Sequence, residues 1–355
     1  MRQGHLEALK PVCPICREGR VLVSDVIRGD DQDVEQGLLR CENAPCGREY
    51  PVVDGIPILV RDPNTFVGAQ HFGLLARDDL PEVLLRLIGD WAGPGSPLDS
   101  LRQGTSTYAA AHYGDLDVDG SIGAEAAIAT ILDRGLEHVA RARRSVQGPI
   151  VDLGCSVGRG TFHLAARTAT SGAPLVIGVD LDFTKLRFAR RVLVNEEVRY
   201  ARRRVGAVYD ERCFRASFDE RHRVDFWCAD LMALPFAPKT FGFAASLNVL
   251  DYVASPLLHL TSLRDLVRPG SAALVTTPFD WSPATTAPEA WLGGHFAGET
   301  ESERVVRLLL GGNHPMAIED LQLVAEESGL AWPLRLNARS TLKYEVDLFV
   351  VARRS

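Results

Sequence analysis

The chain has 355 residues, 46% hydrophobic and 24% charged, with 46 acidic against 39 basic side chains and a formal net charge of −7. This composition is ordinary for a soluble globular protein and excludes collagen-like, disordered and coiled-coil chains, while the acidic balance argues against non-specific nucleic-acid binding. No window approaches the roughly 20 apolar residues of a membrane-spanning helix, and Met1 to Lys10 lacks the apolar run of a signal peptide, so we expect a cytoplasmic protein. The seven cysteines, an odd number, argue against a disulfide framework.

Four of the seven cysteines form two close pairs near the start of the chain. The 24 residues between the pairs favour a hairpin, and a strand, a turn at Asp54-Gly55 and a second strand follow over residues 50–60. Zinc prefers four tetrahedral soft ligands, and two close cysteine pairs joined by a hairpin supply them. We therefore predict a structural zinc site with the ligands Cys13, Cys16, Cys41 and Cys46. The alternative is four unconnected thiols.

Residues 1–61 are thus predicted to form a small β-rich module. Its hydrophobic core would be too small to make it stable alone, so that metal binding would contribute to its folding. The cysteine pairs and the run Tyr50-Pro51-Val52-Val53-Asp54-Gly55-Ile56-Pro57 resemble the small zinc-ribbon domain that partners, or is fused to, tRNA, rRNA and protein methyltransferases. This resemblance covers about residues 10–61. It implies a docking or scaffold role for the module.

Residues 62–147 are predicted to be a helical linker and a cap for the next domain. Pro81 to Trp91 has the apolar spacing of an amphipathic helix, residues 93–97 interrupt it, and a second helix is predicted from Gly123 to Arg144.

Residues 148–355 alternate short β-branched runs with helical runs, which predicts a doubly wound α/β domain with a largely parallel sheet covered on both faces. The predicted strands are residues 150–153, 175–179, 223–227, 242–246 and 272–276, and the predicted helices are residues 161–168 and 183–194.

A glycine-containing loop follows the first of these strands and opens a helix, with the sequence Gly-Cys-Ser-Val-Gly-Arg-Gly from Gly154 to Gly160. Its glycines permit a tight turn and close backbone approach to a ligand, as in mononucleotide sites on doubly wound sheets. Asp180 ends the second strand, where a carboxylate can accept both ribose hydroxyls, and Asp230 follows the third, where it can accept an adenine amino group. A Rossmann dehydrogenase shares the first of these acids, but its loop holds a pyrophosphate.

The order of these motifs resembles class I S-adenosylmethionine-dependent methyltransferases, over Pro149 to about Thr277, and implies their Rossmann-like sheet. The resemblance implies S-adenosylmethionine as the cofactor, with Asp152 and Gly154 holding its methionine part, Asp180 its ribose and Asp230 its adenine, and with Asn248 near the sulfonium. Ser156 and Gly158 complete the predicted loop. Ser156 replaces the usual middle glycine of the family, and Gly242 replaces the acid that is usual at the fourth strand.

Further motifs surround this core and concern the acceptor. They are Ala111-His112-Tyr113-Gly114, Asn248-Val249-Leu250-Asp251, Thr276-Thr277-Pro278-Phe279-Asp280-Trp281 and Glu289-Ala290-Trp291-Leu292-Gly293-Gly294. Together they resemble the C-terminal methyltransferase domain of ovothiol synthases, which methylates an imidazole nitrogen of a thiohistidine, over about residues 107–353. The iron-dependent sulfoxide-synthase part of those enzymes is missing, and the zinc module takes its place.

The resemblance favours N-methylation of an azole, in a histidine-derived small molecule or peptide side chain. A carboxylate that accepts a hydrogen bond from one ring nitrogen raises the basicity of the other. Asp251 and Asp280 are the predicted carboxylates, with Asn248 and Tyr113 beside them in the catalytic set. The predicted substrate-binding residues are His112, Tyr113, Trp281 and Trp291, of which the aromatic residues would stack on a flat ring. Core packing is an equal reading for the two tryptophans, and a turn cap for Asp280.

Two other functions stay open. An RNA methyltransferase would use the zinc ribbon and the basic run, Lys185, Arg187, Arg190, Arg191, Arg199, Arg202, Arg203 and Arg204, to hold nucleic acid. A solvated helix face is the favoured reading of that run, so nucleic acid is not the favoured partner. The other alternative is a scaffold that binds the cofactor without catalysis.

Overall fold

The computed structural model describes residues 1–30, 32–62, 65–66, 94–120, 126–144, 146–172, 174–295, 301–312 and 314–354. The helix predicted from Pro81 to Trp91 and the first residues of the helix predicted from Gly123 lie outside the described residues. Among the described residues, no helix is both long enough and apolar enough to cross a membrane.

The N-terminal segment contains one short helix and a four-stranded antiparallel meander. Its elements are α1 (Gln3–Leu9), β1 (Val21–Gly29), β2 (Val34–Cys41), β3 (Glu49–Val53) and β4 (Ile56–Leu59). Asp54 and Gly55 join the last two strands with φ values of 51° and 75°. Two positive φ angles in a two-residue turn match the twist of the flanking strands, so the predicted turn is confirmed.

The rest of the described chain alternates strands and helices. The helices are α2 (Pro97–Tyr113), α3 (Ala127–Arg141), α4 (Arg159–Arg167), α5 (Phe183–Asn195), α6 (Pro256–Leu266) and α7 (Ser302–Leu310). The strands are β5 (Ile150–Leu153), β6 (Val176–Asp180), β7 (Glu197–Val205), β8 (Val208–Arg215), β9 (Val224–Ala229), β10 (Phe241–Leu247), β11 (Val267–Thr277), β12 (Leu321–Asn337) and β13 (Ser340–Arg353). The five strands and two helices predicted for this region are all present, with ends shifted by a few residues.

Eleven strands form one sheet in the order β1-β2-β3-β4-β9-β6-β5-β10-β11-β13-β12. The strands from β4 to β11 run parallel in this order, whereas β13 and β12 are antiparallel at one edge and the meander is antiparallel at the other. The central strands are buried over almost their whole length, because helices cover both faces. This confirms the doubly wound α/β domain that the alternating pattern predicts and the Rossmann-like sheet that the resemblance implies.

The N-terminal meander continues the central sheet through a single strand pair. Ile58 and Leu59 of β4 pair in parallel with Cys228 and Ala229 of β9. One buried apolar cluster then crosses the junction, from Leu39 and neighbouring residues of the meander to the central strands. The structure therefore fixes the orientation of the N-terminal meander against the carboxyl ends of the central strands.

The long polar insert between β6 and β9 is a β-hairpin, formed by β7 and β8. It packs against α2, where the backbone N–H of Arg203 donates to Ser106 Oγ at 2.7 Å. The β12–β13 hairpin reaches the same region, since Ala338 N–H donates to the carbonyl of Arg204 at 3.1 Å. These two hairpins and α2 lie together over the carboxyl ends of the central strands.

Candidate functional site

The loop after β5 has backbone angles that side chains disfavour. Gly154 has φ 73°, Ser156 φ 51° and Gly158 φ 91°. A Cβ on Gly154 would lie 2.3 Å from Val249 Cγ2, so glycine is required for close packing as well as for its φ. The loop turns the chain sharply from β5 into α4 and leaves its own backbone at the strand end.

Asp180 is held at the end of the neighbouring strand β6 by two backbone donors. Ser156 N–H donates to Asp180 Oδ2 at 2.8 Å, and Asp182 N–H donates to Asp180 Oδ1 at 2.9 Å. Burial raises the pKa of Asp180 above its ordinary value. Its carboxylate is thereby fixed against the glycine loop, where each oxygen keeps a second lone pair for a hydroxyl donor.

The other two predicted acids also have fixed positions. Asp152 is buried beneath the loop, where Thr161 Oγ1 donates to its Oδ2 at 2.8 Å, and burial raises the pKa of Asp152 to about 7. Asp230 Oδ1 accepts from the backbone N–H of Met232 at 2.8 Å and caps a short turn after β9. The ends of three adjacent parallel strands therefore present three carboxyl groups to one edge of the sheet.

A cavity of about 570 Å³ lies at this edge. Seven of the predicted site residues line it, namely His112, Asp152, Gly154, Ser156, Asp180, Asp230 and Asn248. Gly158 is not a lining residue, and a Cβ there would meet the Phe226 ring and Ala189 at 2.7–2.8 Å. Glycine is therefore required at position 158 because the residues packed beneath the loop leave no room for a side chain.

Several described residues that line the cavity were missed from the sequence. They are Arg61, Tyr108, Lys185, Tyr252, Trp332 and Tyr344. Lys185 Nζ lies 4.0 Å from the centre of the Tyr108 ring. Although burial opposes it, the charges of neighbouring groups, including Asp182 and Asp180, raise the pKa of Lys185 and keep it a cation. Tyr108 could have been predicted from the sequence, because it lies one helical turn before His112 on α2 and therefore on the same face.

His112 and Tyr113 are adjacent but differ in environment. Burial lowers the pKa of His112 to about 3, with the cations Lys185 and Arg159 adding to the effect, so its imidazole is neutral. Its Nδ1 is buried without a described hydrogen-bond partner. Tyr113 is fully buried beside the cavity, and its hydroxyl donates to the carbonyl of Val157 at 2.6 Å. Tyr113 thus supports the loop after β5, and its ring packs against Phe188 and Phe218.

The two predicted tryptophans pack against each other beside the cavity. The ring centres of Trp281 and Trp291 are 6.4 Å apart with an interplanar angle of 16°. Trp281 Nε1 donates to Ser302 Oγ at 3.0 Å, and Trp291 Nε1 donates to the carbonyl of Thr286 at 2.9 Å. Neither is among the described residues that line the cavity. Their contacts match packing between loops, and their role toward an acceptor stays a prediction.

Asn248 lies beyond β10 with φ 52°, and Thr276 Oγ1 donates to its Oδ1 at 2.8 Å. Asp251 is fully buried behind the cavity wall, with Oδ1 accepting a long hydrogen bond from Thr277 Oγ1 at 3.4 Å and Oδ2 without a described partner. Burial raises the pKa of Asp251 to about 6, and the charge of Asp280 adds to it. Asp280 is exposed and accepts from the hydroxyl of Tyr344 at 2.7 Å.

The four predicted zinc ligands meet at the end of the meander. Their sulfur atoms all lie within 4.8 Å of one another, with Cys13 to Cys46 at 3.8 Å and Cys16 to Cys41 at 3.7 Å. Four sulfurs on a zinc ion at about 2.3 Å are about 3.8 Å apart in tetrahedral geometry, so the donor set and spacing fit Zn²⁺. Among the described residues this is the only group of three or more such side chains close enough to hold a metal.

Comparison with known proteins supports the class that the site suggests. Residues 151–275, about a third of the chain, match the family model described as "Methyltransferase domain". Over these residues the chain is similar to a methyltransferase domain, and its central sheet has the mixed α/β arrangement described above. No curated protein matches the chain.

Solved structures similar to this chain include three whose sequence identity to it is low. Magnesium protoporphyrin IX methyltransferase of Synechocystis PCC 6803 with bound S-adenosylmethionine is 15% identical, covers 79% of this chain and 100% of its own, and has a TM-score of 0.40. The [4+2]-cyclase SpnF is 13% identical, with coverages of 71% and 96% and a TM-score of 0.41. Phosphoethanolamine N-methyltransferase 2 of Haemonchus contortus is 18% identical, with coverages of 49% and 33% and a TM-score of 0.32. These distant likenesses indicate no acceptor.

Proposed function

We propose that this chain is a methyltransferase that transfers the methyl group of S-adenosylmethionine to a ring nitrogen of an azole, carried by a histidine-derived small molecule or peptide side chain. One observation carries the proposal: a single cavity joins the loop and acids expected to hold the donor to a wall of aromatic side chains. The family resemblance to ovothiol synthases supports the azole, and the aromatic residues that line the cavity agree with a flat acceptor.

The donor end of the cavity would be held by residues of three adjacent strands. Asp180 would accept the ribose hydroxyls, Asp230 the adenine amino group, and Gly154 and Ser156 would allow the methionine part to approach the backbone. S-adenosylmethionine supplies an electrophilic methyl group on a positively charged sulfur, so the protein needs mainly to align the nucleophile and exclude water. Asn248, which also lines the cavity, would lie near the sulfonium.

Four aromatic residues line the cavity, namely Tyr108, Tyr252, Trp332 and Tyr344, and they would form its acceptor end. They come from α2, the turn after β10 and both strands of the β12–β13 hairpin, so the wall closes only when these elements pack together. Flat rings are stabilised by such stacking. His112 would contribute a neutral ring nitrogen to this wall, because its charge is suppressed by burial.

The RNA alternative is less well supported, because much of the basic run is engaged within the chain. Arg190 donates to both carboxylate oxygens of Asp33 at 2.6 and 2.8 Å. Arg203 Nη1 donates to Gln103 at 2.8 Å, and Arg204 is paired with Asp210. Guanidinium groups that are bound to carboxylates contribute little to phosphate neutralisation. The run holds the meander and the β7–β8 hairpin in place.

The zinc-bearing module would have a structural role. Val12 N–H donates to the carbonyl of Pro235 at 2.9 Å, and Arg17, next to Cys16, donates to the carbonyl of Leu234. Both contacts hold the segment that follows Asp230. We propose the division into residues 1–61, 62–147 and 148–355 as zinc ribbon, helical linker and cap, and methyltransferase domain, with Zn²⁺ fixing the first against the third.

Binding and turnover test the proposal separately. Calorimetric titration with S-adenosylhomocysteine should show binding to the wild type and loss of binding in Asp180→Ala. Incubation with methyl-labelled donor should then label L-histidine, 5-thiohistidine or a histidine-containing fraction of a cell extract. Label in the RNA fraction would support the RNA alternative, and binding without label in RNA, protein or metabolite fractions would support the scaffold. Lack of S-adenosylhomocysteine binding would refute the donor site.

A further inference from the structure

A hydrogen-bonded pair stands at the acceptor end of the cavity and joins residues 64 positions apart in the sequence. Tyr344, on β13, lines the cavity, and its hydroxyl donates to Asp280 Oδ2 at 2.7 Å. Asp280 follows β11 and is exposed to solvent. The pair therefore extends from the cavity wall to the surface.

The groups around the pair indicate whether the Tyr344 hydroxyl would donate a hydrogen bond to a ligand or accept one. Tyr252 lines the same cavity as Tyr344, and the charge of Asp280 adds to the effect of burial in raising the pKa of the buried Asp251 carboxyl. Because the phenol proton of Tyr344 is committed to a carboxylate, the Tyr344 oxygen is a polarised acceptor with a lone pair left for a ligand. A ligand would therefore bind this oxygen best through a group that donates a hydrogen bond.

We propose that the Tyr344–Asp280 pair binds the N–H of the acceptor ring and removes its proton when the other ring nitrogen is methylated. The inference rests on the proposed function and deepens it. It selects azoles that carry one N–H and one nitrogen lone pair, such as an imidazole, in preference to acceptors without an N–H.

The proton balance of this step follows from the geometry. When the free ring nitrogen has formed its bond to the methyl group and the bond from that methyl to sulfur has broken, the ring carries the positive charge. The ring N–H proton then passes to the Tyr344 oxygen, while the Tyr344 proton passes to Asp280 Oδ2. Asp280 releases the proton to water at the surface, so the products are a neutral methylated ring, the neutral thioether and one proton.

The test compares two matched ring probes, imidazole and 1-methylimidazole, which differ in the N–H. With saturating S-adenosylmethionine, Tyr344→Phe should lower kcat/KM for imidazole by about 10- to 100-fold, which is the loss expected for a charge-assisted hydrogen bond. The same substitution should leave kcat/KM for 1-methylimidazole unchanged. Asp280→Asn keeps a hydrogen-bond acceptor but no base, so kcat for imidazole should fall while KM stays close to that of the wild type.

Tyr209→Phe is the matched control, since the hydroxyl of Tyr209 also donates to an aspartate, Asp99 at 3.3 Å, away from the cavity. It should leave both probes unaffected. S-adenosylhomocysteine affinity, measured by calorimetry, should be the same in all variants. Equal losses for both ring probes in Tyr344→Phe and an unchanged kcat in Asp280→Asn would each overturn the inference alone. A wild type that binds S-adenosylhomocysteine but methylates no azole would overturn the proposed azole function with it.

Discussion

Gly158→Ala should destabilise the protein strongly, for two separable reasons. Gly158 precedes α4 with φ 91°, a conformation that costs an L-residue about 1–2 kcal/mol. A Cβ there would also lie 2.7 Å from Phe226 Cζ and 2.8 Å from Ala189 Cβ. Phe226 is fully buried and its ring packs edge-on against Phe162, so it cannot move aside freely.

Overpacking of this kind costs about 1–3 kcal/mol, so the two effects together lower the free energy of unfolding by about 2–5 kcal/mol. The control is Gly206→Ala in the β7–β8 turn, where φ is also positive, at 54°, but no described heavy atom lies within 4 Å of the Cβ position. Gly206→Ala therefore carries the backbone cost alone, about 1–2 kcal/mol.

Urea unfolding followed by circular dichroism measures the difference. With a slope of about 3 kcal/mol per M, a loss of 3 kcal/mol in Gly158→Ala moves the midpoint down by about 1 M. In a double-mutant cycle, Phe226→Leu should offset part of the loss, because it removes the ring atoms that the new methyl group meets. If Gly158→Ala is as mild as Gly206→Ala, then the close packing beneath the loop does not determine the residue, and the reasoning is wrong.

Three further results are expected. Asp180→Asn should weaken S-adenosylhomocysteine binding about 10- to 100-fold by calorimetry, because a neutral amide replaces the carboxylate that would accept the ribose hydroxyls. Wild-type protein should contain one zinc ion per chain by elemental analysis, whereas Cys41→Ser should lose the metal and unfold at a lower urea concentration. The free energy of unfolding of Asp251→Asn minus that of the wild type should be larger at pH 8 than at pH 5. The folded pKa of about 6 exceeds the ordinary value of about 3.9, so ionisation of the wild-type carboxyl costs stability, in total about 3 kcal/mol.

The sign of the last effect follows from the direction of the shift. Wild type keeps the full benefit of the protonated Asp251 below about pH 4 and loses it as the pH rises through about 6, with roughly half of the loss between pH 5 and 8. A flat difference between wild type and Asp251→Asn across this range would contradict it. For zinc, a variant with unchanged metal content and midpoint would exclude the tetracysteine site. An unchanged S-adenosylhomocysteine affinity in Asp180→Asn would show that Asp180 does not bind the ribose.

Local sequence patterns predicted the parts of the fold that depend on neighbouring residues. The turn at Asp54-Gly55 and the loop from Gly154 to Gly158 need positive φ angles, which restrict the residue types. The paired cysteines likewise carry their own signal, because each close pair can supply two of the four ligands of one zinc ion. The acids that end β6 and follow β9 could be placed because parallel strands end at the same edge of a sheet.

The acceptor wall could not be predicted in the same way. Tyr252, Trp332 and Tyr344 come from separate elements. Tyr252 directly follows the motif Asn248-Val249-Leu250-Asp251, but no local pattern indicates that the three rings line one cavity. Trp281 and Trp291 had the stronger motif, yet they stack on each other outside the described cavity lining. An aromatic residue has the same local pattern whether it packs in a loop or lines a site.

The alternating sheet, the glycine loop with its acids and the paired cysteines can be read from short segments of the sequence, since each depends on short-range geometry. The pairing of β4 with β9, which makes the meander part of the central sheet, and the contact between Asp280 and Tyr344 are visible only in the folded chain. These contacts join segments far apart in the chain, and their energy comes from burial and hydrogen bonding between surfaces that no local pattern specifies.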